Sequence, residues 1–164
     1  LDENAFNEAC SKLQGQHDFT NLCRLDEGKD PVRTVDECIP WTTDEGRIIG
    51  ISVKSRAFLW NQVRRMASAI SGVASGRNSI EDIHSALERP DVPIDLGRAP
   101  SEGLMLWSIE NLHTSEIIDS SLPDTSWLTA PPDDVRQHTR WLSLARLEMS
   151  TLLEREWMRL LRRA

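Results

Sequence analysis

The chain has 164 residues, of which 39% are hydrophobic, enough apolar material for a packed core and too much for a disordered polypeptide. No run approaches the ~20 apolar residues of a membrane-spanning helix, so an integral helical membrane protein is excluded. Nineteen bases against 26 acids leave a net charge of −7, so the molecule as a whole is not a polycation made to wrap nucleic acid.

Residues 3–13 set Phe6, Ala9, Cys10 and Leu13 at helical spacing, and Gly15 supplies a stop. Residues 33–43 are rich in β-branched and aromatic types, Asp44-Glu45-Gly46 is a turn signal, and 47–55 reads as a second strand, so the pair predicts a β-hairpin. Pro40 confines its strand to an edge or a bulge. Residues 56–75 give the clearest helix. Leu59, Val63, Met66, Ile70 and Val73 follow a four-three rhythm that makes one buried stripe, with Asn61, Arg65 and Ser68 on the opposite side and Arg64 on the flank. Gly76 ends it. Ser79, with an acid three residues on, marks a further helix start, which runs to about Arg89 and stops at Pro90. Three prolines and Gly97 make 90–102 a loop, 103–111 reads as a buried strand, and 112–131 is rich in turn formers. From Asp133 to Arg163 no Gly or Pro interrupts a long helical pattern. Its broadly spread leucines and tryptophans need burial on more than one side, against the chain's own sheet or against a missing domain or second subunit. The expected architecture is α+β: an antiparallel sheet of three or more strands with helices packed on one face, plus a long C-terminal helix.

The charge is distributed unevenly. Residues 1–45 carry 11 acids and 4 bases, residues 81–164 carry 15 acids and 9 bases, and residues 46–80 carry six bases and no acid. Those six, Arg47, Lys54, Arg56, Arg64, Arg65 and Arg77, can hold an anion or polyanion against the acidic background. A solvated basic face is the plainer reading of the same run. Arginine outnumbers lysine by 16 to 3, which with the excess of acid suits a halophilic source. Cys10, Cys23 and Cys38 are odd in number and lack the short gaps of a zinc site, and His17 among them makes a poor ligand set. They read as reduced thiols, which favours the cytoplasm. The first residues, LDENAFNEACSKLQG, show no initiator Met, basic start or apolar signal core and enter a helix at once, which points to a segment of a longer polypeptide.

Three segments, in order, carry a family resemblance: Gly15-Gln16-His17-Asp18-Phe19-Thr20-Asn21-Leu22-Cys23, then Ala57-Phe58-Leu59-Trp60-Asn61-Gln62-Val63-Arg64-Arg65-Met66, then Glu102-Gly103-Leu104-Met105-Leu106. They resemble the G-x-H-D-F-x-N-F, F-L-W-x-Q-V-R and E-G-L-x-L segments of the C-terminal domain of the tRNA pseudouridine synthase A (TruA) family, in its archaeal and eukaryotic form, over about residues 1–110. The resemblance implies isomerisation of uridine to pseudouridine in tRNA with no metal or organic cofactor. It also implies a basic cleft between two domains that takes the tRNA, and a catalytic Asp in an Arg-Thr-Asp motif of an N-terminal domain. Arg33-Thr34-Val35-Asp36 is not that motif: it carries an extra residue and follows the H-D-F segment, where the family has an ordinary strand. The nucleophile is therefore expected outside this chain, and the chain alone is expected to be inactive. The implied division is 1–115 as the RNA-binding, active-site-completing domain and 116–164 as a linker and helical extension.

Breaking the N-glycosidic bond of uridine needs the base out of the stack, in a closed pocket. The catalytic carboxylate has to stay ionised there although burial raises its pKa; an adjacent guanidinium favours the charged form and orients it with paired hydrogen bonds. By resemblance that guanidinium is Arg64, Leu104 lines the target-base pocket, and Lys54, Arg56, Asn61 and Arg65 edge the cleft and contact phosphates. His17 and Asp18 read as a cap or loop-fixing pair rather than a catalytic dyad, and Phe19 as a packing anchor. The expected partners are tRNA, the catalytic domain and, as in many family members, a second copy of the chain, but no membrane. A non-catalytic RNA-binding or interaction module of the same ancestry, or an unrelated α+β scaffold whose long helix mediates oligomerisation, are the alternatives.

Overall fold

The computed structural model describes residues 1–108 and 123–161, and the chain divides into two compact units, Leu1–Pro100 and Ser101–Ala164. The first opens with helix α1, Glu3–Lys12. Asp2 Oδ1 accepts from the Ala5 N–H at 3.0 Å, and Glu3 and Lys12 sit at the ends that the helix dipole favours for their charges. The helical spacing buries Phe6, Ala9 and Cys10, and Leu13 follows them into the core. Gly15, at φ +99°, turns the chain into strand β1, Gly15–Asp18. The sequence pattern gives no sign of this strand, because Gly-Gln-His-Asp has no β-branched or aromatic run; its conformation comes from pairing. A turn of 3₁₀ helix at Thr20–Leu22 precedes strands β2, Val32–Thr42, and β3, Ile48–Ser55. These two form the expected hairpin, closed by Gly46 at φ +83° and by the Thr43 N–H donating to the Arg47 carbonyl at 2.9 Å.

The sheet runs β1-β2-β3, antiparallel throughout. β1 covers only the Val32–Val35 end of β2. Past that end Gln14 Oε1 accepts from the Cys38 N–H at 2.9 Å, standing in for a strand. Pro40, opposite Ile51, lies where β2 is paired on one side only, so the central strand tolerates its missing N–H. One face of the sheet, with Val35, Cys38 and the partly buried Ile51 and Val53, meets α1 and helices α2, Gln62–Ala74, and α3, Ile80–Glu88. Phe19, Met66, Ile70 and Ile83 fill the centre with no exposed surface; burying one such side chain contributes roughly 1.5–3 kcal/mol. Helix α3 starts as its sequence directs: Asp82 Oδ2 accepts from the Ser79 N–H at 2.7 Å and Ser79 Oγ accepts from the Asp82 N–H at 3.2 Å.

Helix α2 departs from expectation in two ways. It begins at Gln62 rather than at 56. The four-three rhythm records burial, and Leu59 is buried from a non-helical approach before Asn61, at φ +63°, turns the chain into the helix. In addition, Ser68 is buried rather than facing solvent, because the loop after α3 runs along that side and its Leu96 carbonyl accepts from Ser68 Oγ at 2.9 Å.

The second unit has a 3₁₀ turn at Ser101–Gly103. Residues 104–108 have no regular structure, so the strand expected at 103–111 does not form over its described part, and its end lies outside the described residues. An apolar run becomes a strand only by pairing, and no strand is present among the described residues of this unit. Helix α4, Val135–Leu161, fulfils the long C-terminal pattern over ~40 Å. Residues 123–130 fold back on it: the Thr129 N–H and Oγ1 donate to the Glu148 carboxylate at 3.1 and 2.6 Å, and Trp141 Nε1 donates to the Thr129 carbonyl at 2.9 Å. Leu152 and Leu153 are buried, whereas Leu142, Leu147 and Met158 are exposed. The domain boundary expected near 115, and the turn-rich 112–122, lie outside the described residues. No described helix is long and apolar enough to cross a membrane.

Candidate functional site

The corner that leads into α2 is locked by a single side chain. Gln62 has no exposed surface; its Oε1 accepts from the Leu59 N–H at 2.8 Å while its own N–H donates to the Leu59 carbonyl at 3.0 Å. Between them Asn61 takes the left-handed conformation, which Asn tolerates better than other non-glycine residues. The first turn of α2 holds no acid but carries Arg64 and Arg65. Two cations at the positive end of a helix dipole are unfavourable by themselves and favourable beside an anion.

A strap, residues 94–99, is fastened along this end of α2. Asn21 begins it: its Nδ2 donates to the carbonyls of Ala86, Arg89 and Val92 at 3.2, 3.2 and 3.0 Å, and its Oδ1 accepts from the Ile94 N–H at 3.0 Å. Arg65 Nη1 pairs with Asp95 at 2.9 Å. The Gly97 N–H donates to the same carboxylate, and that bond, with the charge of Arg65, holds the Asp95 carboxyl below its usual range. Gly97 has φ +83°, and a Cβ there would stand 2.7 Å from Ser68 Oγ, so both conformation and space demand glycine. The strap ends on Arg64, whose Nε donates to the Ala99 carbonyl at 2.8 Å while its own carbonyl accepts from the Ala99 N–H at 3.0 Å. Arg64 Nη1 donates to Asn61 Oδ1 at 3.3 Å. The guanidinium is thus half-buried and held at two atoms, and its Nη2 group makes no hydrogen bond among the described residues.

The structure therefore brings Asn61 and Arg64 together directly and ties Arg65 to the strap. Lys54, near the end of β3, and Arg56, just after it, are exposed. Arg77 lies past the other end of α2, ~20 Å along the helix from Arg64, so the acid-free stretch is not one patch. Leu104 belongs to the second unit, where it is 47% exposed and its N–H donates to the Ser101 carbonyl. His17 Nε2 donates to the Gln14 carbonyl at 2.7 Å and Asp18 Oδ1 accepts from the Thr20 N–H at 2.8 Å, local fixing roles both. Phe19 is a fully buried anchor. All three cysteines are buried free thiols; burial pushes the Cys23 thiol up, against the charges of Arg65 and Arg33. Among the described residues no group of three His, Cys, Asp or Glu side chains is placed to hold a metal.

Sequence reasoning passed over Asn21, Gln62 and the strap carbonyl of Ala99. The first two are letters of the motifs themselves, the N of H-D-F-x-N and the Q of Q-V-R, and each proves to be the part that fixes backbone around Arg64. The Ala99 carbonyl left no trace in residue type.

Comparison with known proteins identifies a family. A family model described as tRNA pseudouridine synthase matches residues 9–110. The tRNA pseudouridine synthase A of Methanocorpusculum labreanum is 32% identical over 108 residues, 66% of this chain and 37% of that protein. Those of Brucella ovis and Brucella canis are each 36% identical over 111 residues, 67% of this chain and 43% of theirs. The chain spans about two fifths of the length of the curated relatives it matches.

Proposed function

The chain belongs to the tRNA pseudouridine synthase family, and from that premise we propose that it supplies the half of the enzyme that completes the active site, while the nucleophilic Asp comes from a catalytic domain outside it. The observation that carries this reading is the state of Arg64. Its guanidinium is anchored through Nε and Nη1 to Ala99 and Asn61, which leaves Nη2 and the second Nη1 hydrogen to donate to a carboxylate. A guanidinium restrained in this way keeps a desolvated Asp ionised and oriented with little ordering left to do at the moment of reaction.

The substrate on this reading is a uridine of tRNA. The C1′–N1 bond breaks, a C1′–C5 bond forms, and one proton leaves C5 as another is gained at N1. No electrons are exchanged, so no organic cofactor or metal is required. Lys54, Arg56, Asn61 and Arg65 position the RNA through its phosphates, and Leu104 contributes to the pocket for the extruded base. Residues up to about 115 form the RNA-facing domain and those beyond it a helical extension. The protein works in the cytoplasm, where tRNA coexists with reduced thiols such as its own.

The test is Arg64→Ala in the full-length enzyme, assayed by single-turnover tRNA modification. The rate falls by about 10²–10³-fold, the range for loss of one preorganised donor group, while tRNA affinity changes by less than about threefold because phosphate contacts remain. Arg64→Lys recovers little of the rate, since an ammonium cannot make the forked contact. A near-normal single-turnover rate for Arg64→Ala overturns the proposal, and so does pseudouridine formation by the pure 164-residue chain.

A further inference from the structure

Trp60 is 55% exposed, an unusual position for the largest apolar side chain. It is not loose. The Arg24 N–H donates to the Trp60 carbonyl at 2.7 Å, and the two residues form an isolated antiparallel bridge between the 3₁₀ turn and the approach to α2. The Arg24 guanidinium lies over the indole, with Cζ 4.1 Å from the ring centroid. One face of the ring thus carries a cation, while more than half of the residue's surface stays exposed. The residue after Trp60 is Asn61, whose Oδ1 holds Arg64.

We infer that the Trp60 ring, backed by Arg24, is a stacking plate for an unpaired base of the RNA, at a nucleotide flanking the target. The inference rests on the function proposed above and adds to it a contact made with a base rather than a phosphate. Every base presents a π-face to an indole whatever its sequence. The guanidinium behind the ring holds the plate in orientation and brings a charge that a phosphate, not an apolar protein surface, would complement. The surroundings agree: residues 46–80 carry no acid, and the nearest acid after Arg24 in the chain, Asp26, is paired with Lys29 at 2.6 Å. The backbone bridge does not depend on the indole, so the ring can be removed without loosening the corner.

The experiment uses the full 164-residue chain and two fluorescently labelled probes, a short single-stranded oligouridylate and an abasic strand of equal length. Stacking predicts that the unaltered chain prefers the oligouridylate by about tenfold. Trp60→Ala abolishes that preference while leaving the abasic affinity unchanged; Trp60→Phe keeps part of it; Arg24→Gln weakens both probes. Equal affinity of the unaltered chain for the two probes overturns the plate and leaves the proposed function standing. So does a preference that survives Trp60→Ala. If Trp60→Ala binds oligouridylate normally but no longer assembles with the catalytic domain, the ring is a protein-docking residue and the inference is wrong. Loss of turnover at Arg64 failing to appear, with the base preference intact, would instead strike the reading of Arg64. No binding of either probe at low salt overturns the plate and leaves the reading of Arg64 to its own test.

Discussion

Asn21 offers a sharp test of how this unit is held together. The carbonyl of Ala86 would ordinarily accept from the N–H four residues on, but that residue is Pro90, which has none. Asn21 Nδ2 takes over this orphan acceptor and shares its two hydrogens with the Arg89 and Val92 carbonyls, while Oδ1 secures the Ile94 N–H. Counting two donor bonds and one acceptor bond at about 1 kcal/mol net each, Asn21→Ala costs about 3 kcal/mol. Amide exchange in the core of α2, at Met66 and Ile70, reports unfolding of the first unit, and its protection should fall on the order of a hundredfold. Asn21→Asp is the more incisive variant. It has the shape of Asn and keeps the Ile94 bond, yet turns a carboxylate oxygen toward three carbonyls. At neutral pH it should be at least as damaging as Asn21→Ala. The introduced carboxyl then has a folded pKa raised above its unfolded value, so stability returns as pH falls and the protonated acid regains a donor. Wild-type protection for Asn21→Asp at neutral pH would refute the accounting.

Gly97→Ala combines a positive φ with a 2.7 Å approach to Ser68 Oγ, and should lose about 2 kcal/mol in the same exchange assay; made on a Ser68→Ala background, which already lacks the bond to the Leu96 carbonyl, the same change meets no collision and should cost only about 1 kcal/mol from the backbone. Ser79→Ala removes half of the α3 capping box and should cost about 1 kcal/mol, read as increased exchange at the start of α3. The Asp95 carboxyl is depressed by the Gly97 N–H and by Arg65, so its stabilising effect is present above the unfolded value near 3.8 and is lost as pH falls through the lower folded value. Asp95→Asn should therefore flatten the stability profile on the acid side of pH ~4, as measured by thermal melts, with no change in slope above it.

What the sequence disclosed was mostly what is decided locally. The hairpin shows in its own β-branched runs and Asp-Glu-Gly turn, and α3 in a capping box four residues long. β1 escaped notice because Gly-Gln-His-Asp becomes a strand only through Val32–Val35, seventeen or so residues away in the register. The beginning of α2 was misplaced because periodicity reports which side chains are buried, not how the backbone reaches them, and Leu59 arrives in the core without a helical turn. The run after Gly103 has the composition of a strand but no partner among the described residues of its unit, and composition cannot supply one. Arg64 was singled out as a candidate by its motif neighbours. Its restraint was not, since the Ala99 carbonyl is 35 positions away in a stretch whose prolines and glycine announce only a loop.

The fastening of residues 94–99 also reverses the usual expectation for a surface connection, where insertions and deletions are absorbed at small cost. Here the span between Asn21 and Arg64 is metered residue by residue. One amino acid added between Gly97 and Ala99 would offer Arg64 the wrong carbonyl or pull Gly97 off Ser68, so evolutionary length variation should stop at Ile94 and resume only past Ala99.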